Sequence, residues 1–175
     1  MTATDKEDTS QYLTFQLGSE LFAIEVVHVR EVLEFIKITS VPGSPEYLKG
    51  MINVRGNVIP VMSLHVKIGL EEQAKSVNTR IIVTELLLGD ENIVLGIVAD
   101  AVKEVLDIRE KEIEPPPRIG NRYNKGMTKG IVTRKSDFII ILNLEACAIS
   151  CENLKADFCL PDTAEDTAEK DRPSV

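Results

Sequence analysis

The chain has 175 residues, 43% of them hydrophobic, with three tyrosines, five phenylalanines, no tryptophan and a formal charge of −8. Its acids gather at the ends: residues 156–175 hold six against Lys170 and Arg172, residues 1–10 hold three against Lys6, and the middle is left at −2. A near-neutral body poor in aromatics lacks the basic stripe and stacking platforms of a nucleic-acid binder, and without a long apolar run it has no helical membrane span.

Residues 1–10 are polar, with no apolar core of a signal peptide, and are expected to be a disordered lead-in to a cytoplasmic protein. Tyr12, Thr14 and Gln16 alternate with Leu13, Phe15 and Leu17, which predicts a strand. Gly18-Ser19-Glu20 turns the chain, and Leu21–Ile24 returns as a second strand. Val26, Val29, Val32 and Leu33 have helical spacing but β-branched chemistry, which predicts a short helical turn running into a strand. Phe35, Ile38 and Val41 continue as an apolar strand up to the rigid turn Pro42-Gly43-Ser44-Pro45, and one helical turn is expected over 46–48.

The stretch from Lys49 to Leu64 predicts a β-hairpin turning at Arg55-Gly56-Asn57, since Gly and Asn accept the positive φ angles of a tight turn. Pro60 within its second strand calls for an edge or a bulge. Residues 67–78 are polar and predict a connection. Arg80–Leu88 and Ile93–Val98 then read as strands around the turn Gly89–Asn92, and Ala101–Ile108 as a further ambiguous segment. A strand ends at Ile113-Glu114 before three prolines. Residues 145–154 predict a C-terminal helix with Ala146, Ile149 and Leu154 inward, and the acidic residues 155–175 a disordered tail.

The second half repeats the first. Val29-Arg30-Glu31-Val32-Leu33 matches Val102-Lys103-Glu104-Val105-Leu106 at an offset of 73. Lys49-Gly50 matches Lys129-Gly130 at an offset of 80, which sets Arg55 on Lys135 and Leu64 on Leu144. Seven extra residues are therefore expected within Pro116–Lys125. Two copies of one β unit are predicted over 11–66 and 79–144, joined by 67–78, within one domain of 11–154.

No phosphate loop, nucleophile elbow or zincin motif occurs, so no catalytic residue, metal or cofactor is assigned. His28 and His65 are expected to be surface or half-buried imidazoles. Asp90, Glu91, Asp100 and Asp107 are expected on a solvated acidic face. Cys147, Cys151 and Cys159 lack a C-x-x-C pair and are expected to be reduced thiols. Opposite charges recur in both copies, which predicts cross-strand ion pairs Glu31–Arg55 and Glu104–Lys135. Val29, Val32, Val102 and Val105 are candidates for an apolar groove that could accept a partner's helix.

Tyr47-Leu48-Lys49-Gly50, Ile52-Asn53-Val54-Arg55-Gly56, Val58-Ile59-Pro60-Val61 and Gly96-Ile97-Val98-Ala99-Asp100, taken together, resemble the CheW-type chemotaxis coupling proteins. That resemblance implies an all-β fold of two SH3-like five-stranded barrels with short helices. It implies a non-enzymatic adaptor between the cytoplasmic hairpin tip of chemoreceptors and the regulatory domain of the histidine kinase CheA. By resemblance the receptor-facing groove would use Val29, Glu31, Arg55, Ile81, Gly96, Val102 and Val105, and the kinase-facing side Phe35, Ile38 and Val41. A regulatory fragment of such a kinase would share this fold. Two alternatives from other classes are a small-molecule-binding or hydrolytic barrel with His28 or His65 near a pocket, and a nucleic-acid module.

Overall fold

A computed structural model describes residues 9–115 and 126–149; the expected lead-in up to residue 8, the seven extra residues, the tail, Cys151 and Cys159 lie outside them. In chain order the elements are β1 (Thr9–Leu17), β2 (Glu20–Glu25), a 3-10 turn (Val26–His28), β3 (Val29–Glu34), β4 (Leu48–Val54), β5 (Asn57–Met62) and α1 (Leu64–Ile68). After a connection come β6 (Arg80–Leu88), β7 (Glu91–Ala99), β8 (Ala101–Arg109), a 3-10 turn (Glu110–Glu112), β9 (Thr128–Arg134), β10 (Asp137–Leu142) and α2 (Leu144–Ile149).

These strands form two five-stranded sheets, ordered β8-β1-β2-β10-β9 and β3-β6-β7-β5-β4. Replacing each strand by its repeat counterpart turns one order into the other, so the sequence repeat is a pseudo-twofold in space. Membership nevertheless corrects the predicted division at residues 66 and 79. Each sheet takes a two-strand hairpin from one copy and three strands from the other: β1–β2 sit with β8–β10, and β6–β7 with β3–β5. The chain changes sheet at two short crossings: only Val26–His28 separates β2 from β3, and only Asp100 separates β7 from β8.

Each sheet curls, and the segment after its edge strand bridges to the far edge. Thr39 pairs with Met51, and Glu114 with Ile131, through backbone hydrogen bonds of 2.8–2.9 Å. Beyond that single bridge, residues 35–41 form no strand, contrary to expectation. Both bridges lie against a glycine. A Cβ on Gly50 (φ +144) would stand 2.1 Å from the Thr39 carbonyl oxygen, and one on Gly130 would stand 2.6 Å from that of Glu114. The recurring Lys-Gly dipeptide thus marks where each half-barrel closes.

The hairpins turn on two residues with positive φ, Arg55 (50°) and Gly56 (86°) in one and Lys135 (49°) and Ser136 (70°) in the other, the twist-matched geometry of tight β-hairpins. Asn57 is already in β5, paired with Val54. Pro60 lies one residue before the β5–β7 register begins at Val61, where its missing N–H removes nothing from that ladder.

Two apolar clusters fill the half-barrels, one around Ile108, Val132 and Ile141 and the other around Ile52, Val61, Ile81 and Val83. A larger third cluster joins the sheets. It takes Phe15, Leu17, Phe22 and Ile24 from the first sheet, Met62, Ile82, Leu95 and Ile97 from the second, and Leu64, Ile68, Leu144 and Cys147 from the helices. On α2, Leu144, Cys147 and Ala148 are buried and Ala146 is half-buried, while Leu154 of the predicted inward face lies outside the described residues.

Helix α1 was not expected. Ser63 caps it by accepting from Val66 N–H at 3.4 Å, and Gly69 ends it at φ 82°. Its place matches that of α2, since Leu64 and Leu144 open the two helices. Among the described residues no helix is long and apolar enough to cross a membrane.

Candidate functional site

Arg55 sits at the β4–β5 turn, and its Nη2 donates to Glu31 Oε2 on β3, two strands that are the opposite edges of the second sheet. The pair spans the mouth of the curled sheet, with the Arg55 side chain 70% exposed and that of Glu31 26% exposed. It lines a depression of about 350 Å³ together with Arg30, Val58, Val83 and Val94. An ion pair this exposed contributes about 0.2–1 kcal/mol, well below the cost of breaking a buried one. Arg55→Ala is accordingly expected to lower stability by no more than about 1 kcal/mol, read as a small shift of the urea midpoint with unchanged slope.

The first sheet carries the counterpart depression, about 510 Å³, lined by Lys103, Glu104, Leu106, Lys135, Asp137 and Ile139 among others. Here the predicted pair does not close: no ion pair joins Glu104 and Lys135 among the described residues. The Glu104 backbone N–H donates instead to Thr14 Oγ1, which donates back to the Glu104 carbonyl. The neighbouring Arg134 takes the bridging part, contacting Glu112 at 3.2 Å and donating to the Asp107 carbonyl. Lys135, held at positive φ in the turn, is left facing outward.

The predicted groove residues divide into three groups. Val29 and Val102 are half-buried and pack at equivalent places against the cluster between the sheets. Val105 is 50% exposed on β8, and Val32 40% exposed on β3. Ile81 is fully buried inside the second half-barrel, and a Cβ on Gly96 would meet Ile81 and Val61 methyls at 3.2 Å, so these two positions pack the interior and face no groove. Neither Val29 nor Val102 lines the depression beside Arg55, so the valine cleft and the guanidinium are separate features.

Phe35 and Ile38 are half-buried and pack against the cluster of the second half-barrel; Val41 is half-buried in the following loop. Phe35 and Ile38 line a third depression, about 260 Å³, with Lys49, His65, Glu72 and Asp100. The connection after α1 straps this side: Lys49 Nζ lies 2.8 Å from Glu72, and Lys75 Nζ sits 4.2 Å over the Phe35 ring. Burial works against the Glu72 charge, but the hydrogen bond and charge of Lys49, helped by Ser63 and His65, hold its carboxyl below the ordinary 4.5. Glu112 is likewise lowered, first by the Arg109 N–H and then, against slight burial, by Arg134.

Of the two histidines, His65 departs from expectation, whereas His28 is half-buried as expected. His65 is only 2% exposed and lies 2.9 Å from Asp100, whose side chain is 18% exposed; Asp100 is therefore no part of a solvated face. His28 lies 3.6 Å from Glu25, which also receives Lys129 at 3.1 Å. Burial opposes the Lys129 charge, but hydrogen bonds to Glu25 and Tyr12 outweigh it and raise its pKa above 10.5. The signal for the His65 site was local: Ser63 and Gly69 bracket a one-turn helix that can carry a side chain inward. No cluster of three or more metal-ligating side chains forms among the described residues.

The lowered Glu72 and Glu112 values fix the sign of a pH effect. A carboxyl with a depressed folded-state pKa contributes stability that is present above its unfolded value, about 4.3, and is lost as pH falls through the folded value. The urea midpoint is expected to drop between pH 5 and pH 3, and to drop less in a Glu72→Gln/Glu112→Gln variant. Equal slopes in the two proteins would remove these groups from the acid response.

The family model described as CheW-like domain matches residues 11–151. The chain is 32% identical over 154 residues to the chemotaxis protein CheW of Helicobacter pylori, covering 88% of this chain and 87% of that one. It is 30% identical over 146 residues to the CheW of Bacillus subtilis, covering 83% and 90%. Among solved structures, the scaffolding protein TtCheW of Thermoanaerobacter tengcongensis superimposes with a TM-score of 0.69 at 36% identity, over 77% of this chain and 84% of that one. The paired half-barrels, the reciprocal hairpins and the matched residues from Gln11 onward make this chain a member of the CheW-like domain family.

Proposed function

We propose that this protein is a non-enzymatic chemotaxis adaptor that couples the cytoplasmic tips of chemoreceptors to the regulatory domain of the histidine kinase CheA. It works in the cytoplasm, gathered at receptor arrays, and its mechanism is mutual orientation. An adaptor shifts a kinase between active and inactive arrangements only as far as its contacts differ between them. The observation that carries this reading is the exposed Arg55–Glu31 pair on one half-barrel of a CheW-family chain. A guanidinium fork that contributes little to stability yet borders a depression lined by both charged side chains and valines is suited to hold a partner. Support for a non-enzymatic role comes from membership of the CheW-like domain family.

Receptor contact is assigned to Val29, Glu31, Arg55, Val102 and Val105, and kinase contact to the Phe35, Ile38 and Val41 side. Co-sedimentation with receptor-bearing membranes and with a CheA regulatory fragment, separately and together, tests the assignment. Arg55→Ala is expected to weaken receptor co-sedimentation about tenfold, the effect of losing roughly 1.4 kcal/mol at an interface anchor, while kinase binding changes less than twofold. Equal losses on both arms would place Arg55 outside a receptor-specific surface.

A further inference from the structure

The sheets are joined directly by two crossings, the 3-10 turn Val26–His28 between β2 and β3 and the single residue Asp100 between β7 and β8. The offset of 73 makes Asp100 the counterpart of Val27, and the two are treated in opposite ways. Val27 is 80% exposed. Asp100 instead ties three segments together. Its Oδ2 accepts from Gly18 N–H at 2.6 Å in the β1–β2 turn, and lies 2.9 Å from Nε2 of the buried His65 in α1. Its own N–H donates to the Gln16 carbonyl at 2.9 Å. One carboxylate oxygen thus fastens a hairpin turn of the first sheet to the helix that follows the β4–β5 hairpin of the second.

We propose that Asp100 and His65 are positioning residues that fix the angle at which the two half-barrels meet. The cluster between the sheets is apolar, and apolar burial favours contact without favouring one direction. Packed elements joined that way can slide past one another by small shear steps. Hydrogen bonds are directional, and those on Asp100 bind both sheets at one crossing. The opposite crossing carries an outward valine at the matching position. Loosening the Asp100 side therefore leaves the half-barrels free to pivot about Val26–His28. The consequence extends the adaptor reading, because that angle sets the spacing of surfaces carried on different sheets, but its test needs no partner.

The test uses full-length protein with Cys151→Ser and Cys159→Ser, leaving the core residue Cys147 in place, and nitroxides at Val58→Cys and Phe138→Cys. These two exposed positions are repeat counterparts, one on each sheet. Pulsed electron-electron resonance is expected to give one narrow distance distribution with Asp100 and His65 intact. His65→Leu and Asp100→Ala are expected to broaden it about twofold, as shear of a two-part fold permits. His65→Gln, which returns an N–H toward the carboxylate, is expected to restore much of the original width. Asp100→Asn, which keeps the shape and one acceptor oxygen, is read in place of Asp100→Ala where the alanine variant does not fold. A lower melting temperature with an unchanged distribution would make the pair a source of stability alone and overturn the proposal. Failure of the co-sedimentation experiment would leave this result standing, since no receptor or kinase is present.

Discussion

Replacing Gly50 by alanine is expected to destabilise the protein by about 3 kcal/mol or more, through backbone strain and overpacking acting together. The new methyl would sit 2.1 Å from the Thr39 carbonyl oxygen and 2.8 Å from an Ile38 methyl, at a φ of +144° that side chains rarely adopt. Neither contact relaxes cheaply. The carbonyl accepts the Met51 N–H, and the Thr39 N–H donates to the Met51 carbonyl, so relieving the clash pulls apart the bridge that closes the half-barrel. Gly56→Ala is the matched control: φ is +86° there, but nothing lies within 4 Å of the added carbon. Its cost should stay near the conformational term alone, about 1 kcal/mol. Urea denaturation reads both, and Gly130→Ala should resemble Gly50→Ala because its added carbon meets an Ile113 methyl at 2.3 Å. Gly50→Ala and Gly56→Ala with equal midpoints would show that the close approach to Thr39 carries no energy. With stabilities of small domains near 5–15 kcal/mol, the Gly50 variant is expected to remain folded while freeing the loop that bears Phe35 and Ile38.

That glycine shows what could be read from the chain and what could not. The pairing of Lys49-Gly50 with Lys129-Gly130 was visible as a repeat, and the alternation of Leu13, Phe15 and Leu17 with Tyr12, Thr14 and Gln16 was visible as a strand, because a strand carries a local pattern of period two. The reason for the glycine was not visible, since the approaching Thr39 carbonyl belongs to a segment that looked like a strand and forms one bridge. Likewise Arg55 and Glu31 could be matched by charge, and they meet. Lys135 and Glu104 could be matched equally well, yet Thr14 engages the Glu104 backbone and Arg134 reaches across instead of Lys135. Charge order in a sequence does not say which of two adjacent cations turns inward. Ile81 and Gly96 looked like groove residues by resemblance, but β6 and β7 lie inside their sheet and direct alternate residues into the half-barrel. The partition into two consecutive units failed for a related reason. A repeat shows that two copies share one set of strands and leaves open whether a hairpin stays with its own copy.

Cutting the chain between residues 78 and 79 should abolish folding of both pieces, and mixing them should restore it. The first piece keeps β1–β2 as a hairpin without β8 or β10, β4–β5 as a hairpin without β7, and β3 without β6, the only named strand it pairs with. The second piece is left in the same condition, with β8 lacking β1. Isolated two-stranded hairpins are marginal in water, and the cut separates Phe15 and Phe22 from Ile82 and Ile97 in the cluster between the sheets. Amide spectra of each fragment should show collapsed dispersion, and an equimolar mixture should regain dispersed signals and one cooperative melting transition. A first fragment that melts cooperatively by itself would establish consecutive subdomains and refute the exchanged hairpins. The exchange has a functional consequence as well. Because each half-barrel is built from both halves of the chain, Phe22 on β2 and Ile97 on β7 share one core with the helices that close it. A partner that displaced either half-barrel would therefore strain the junction they share.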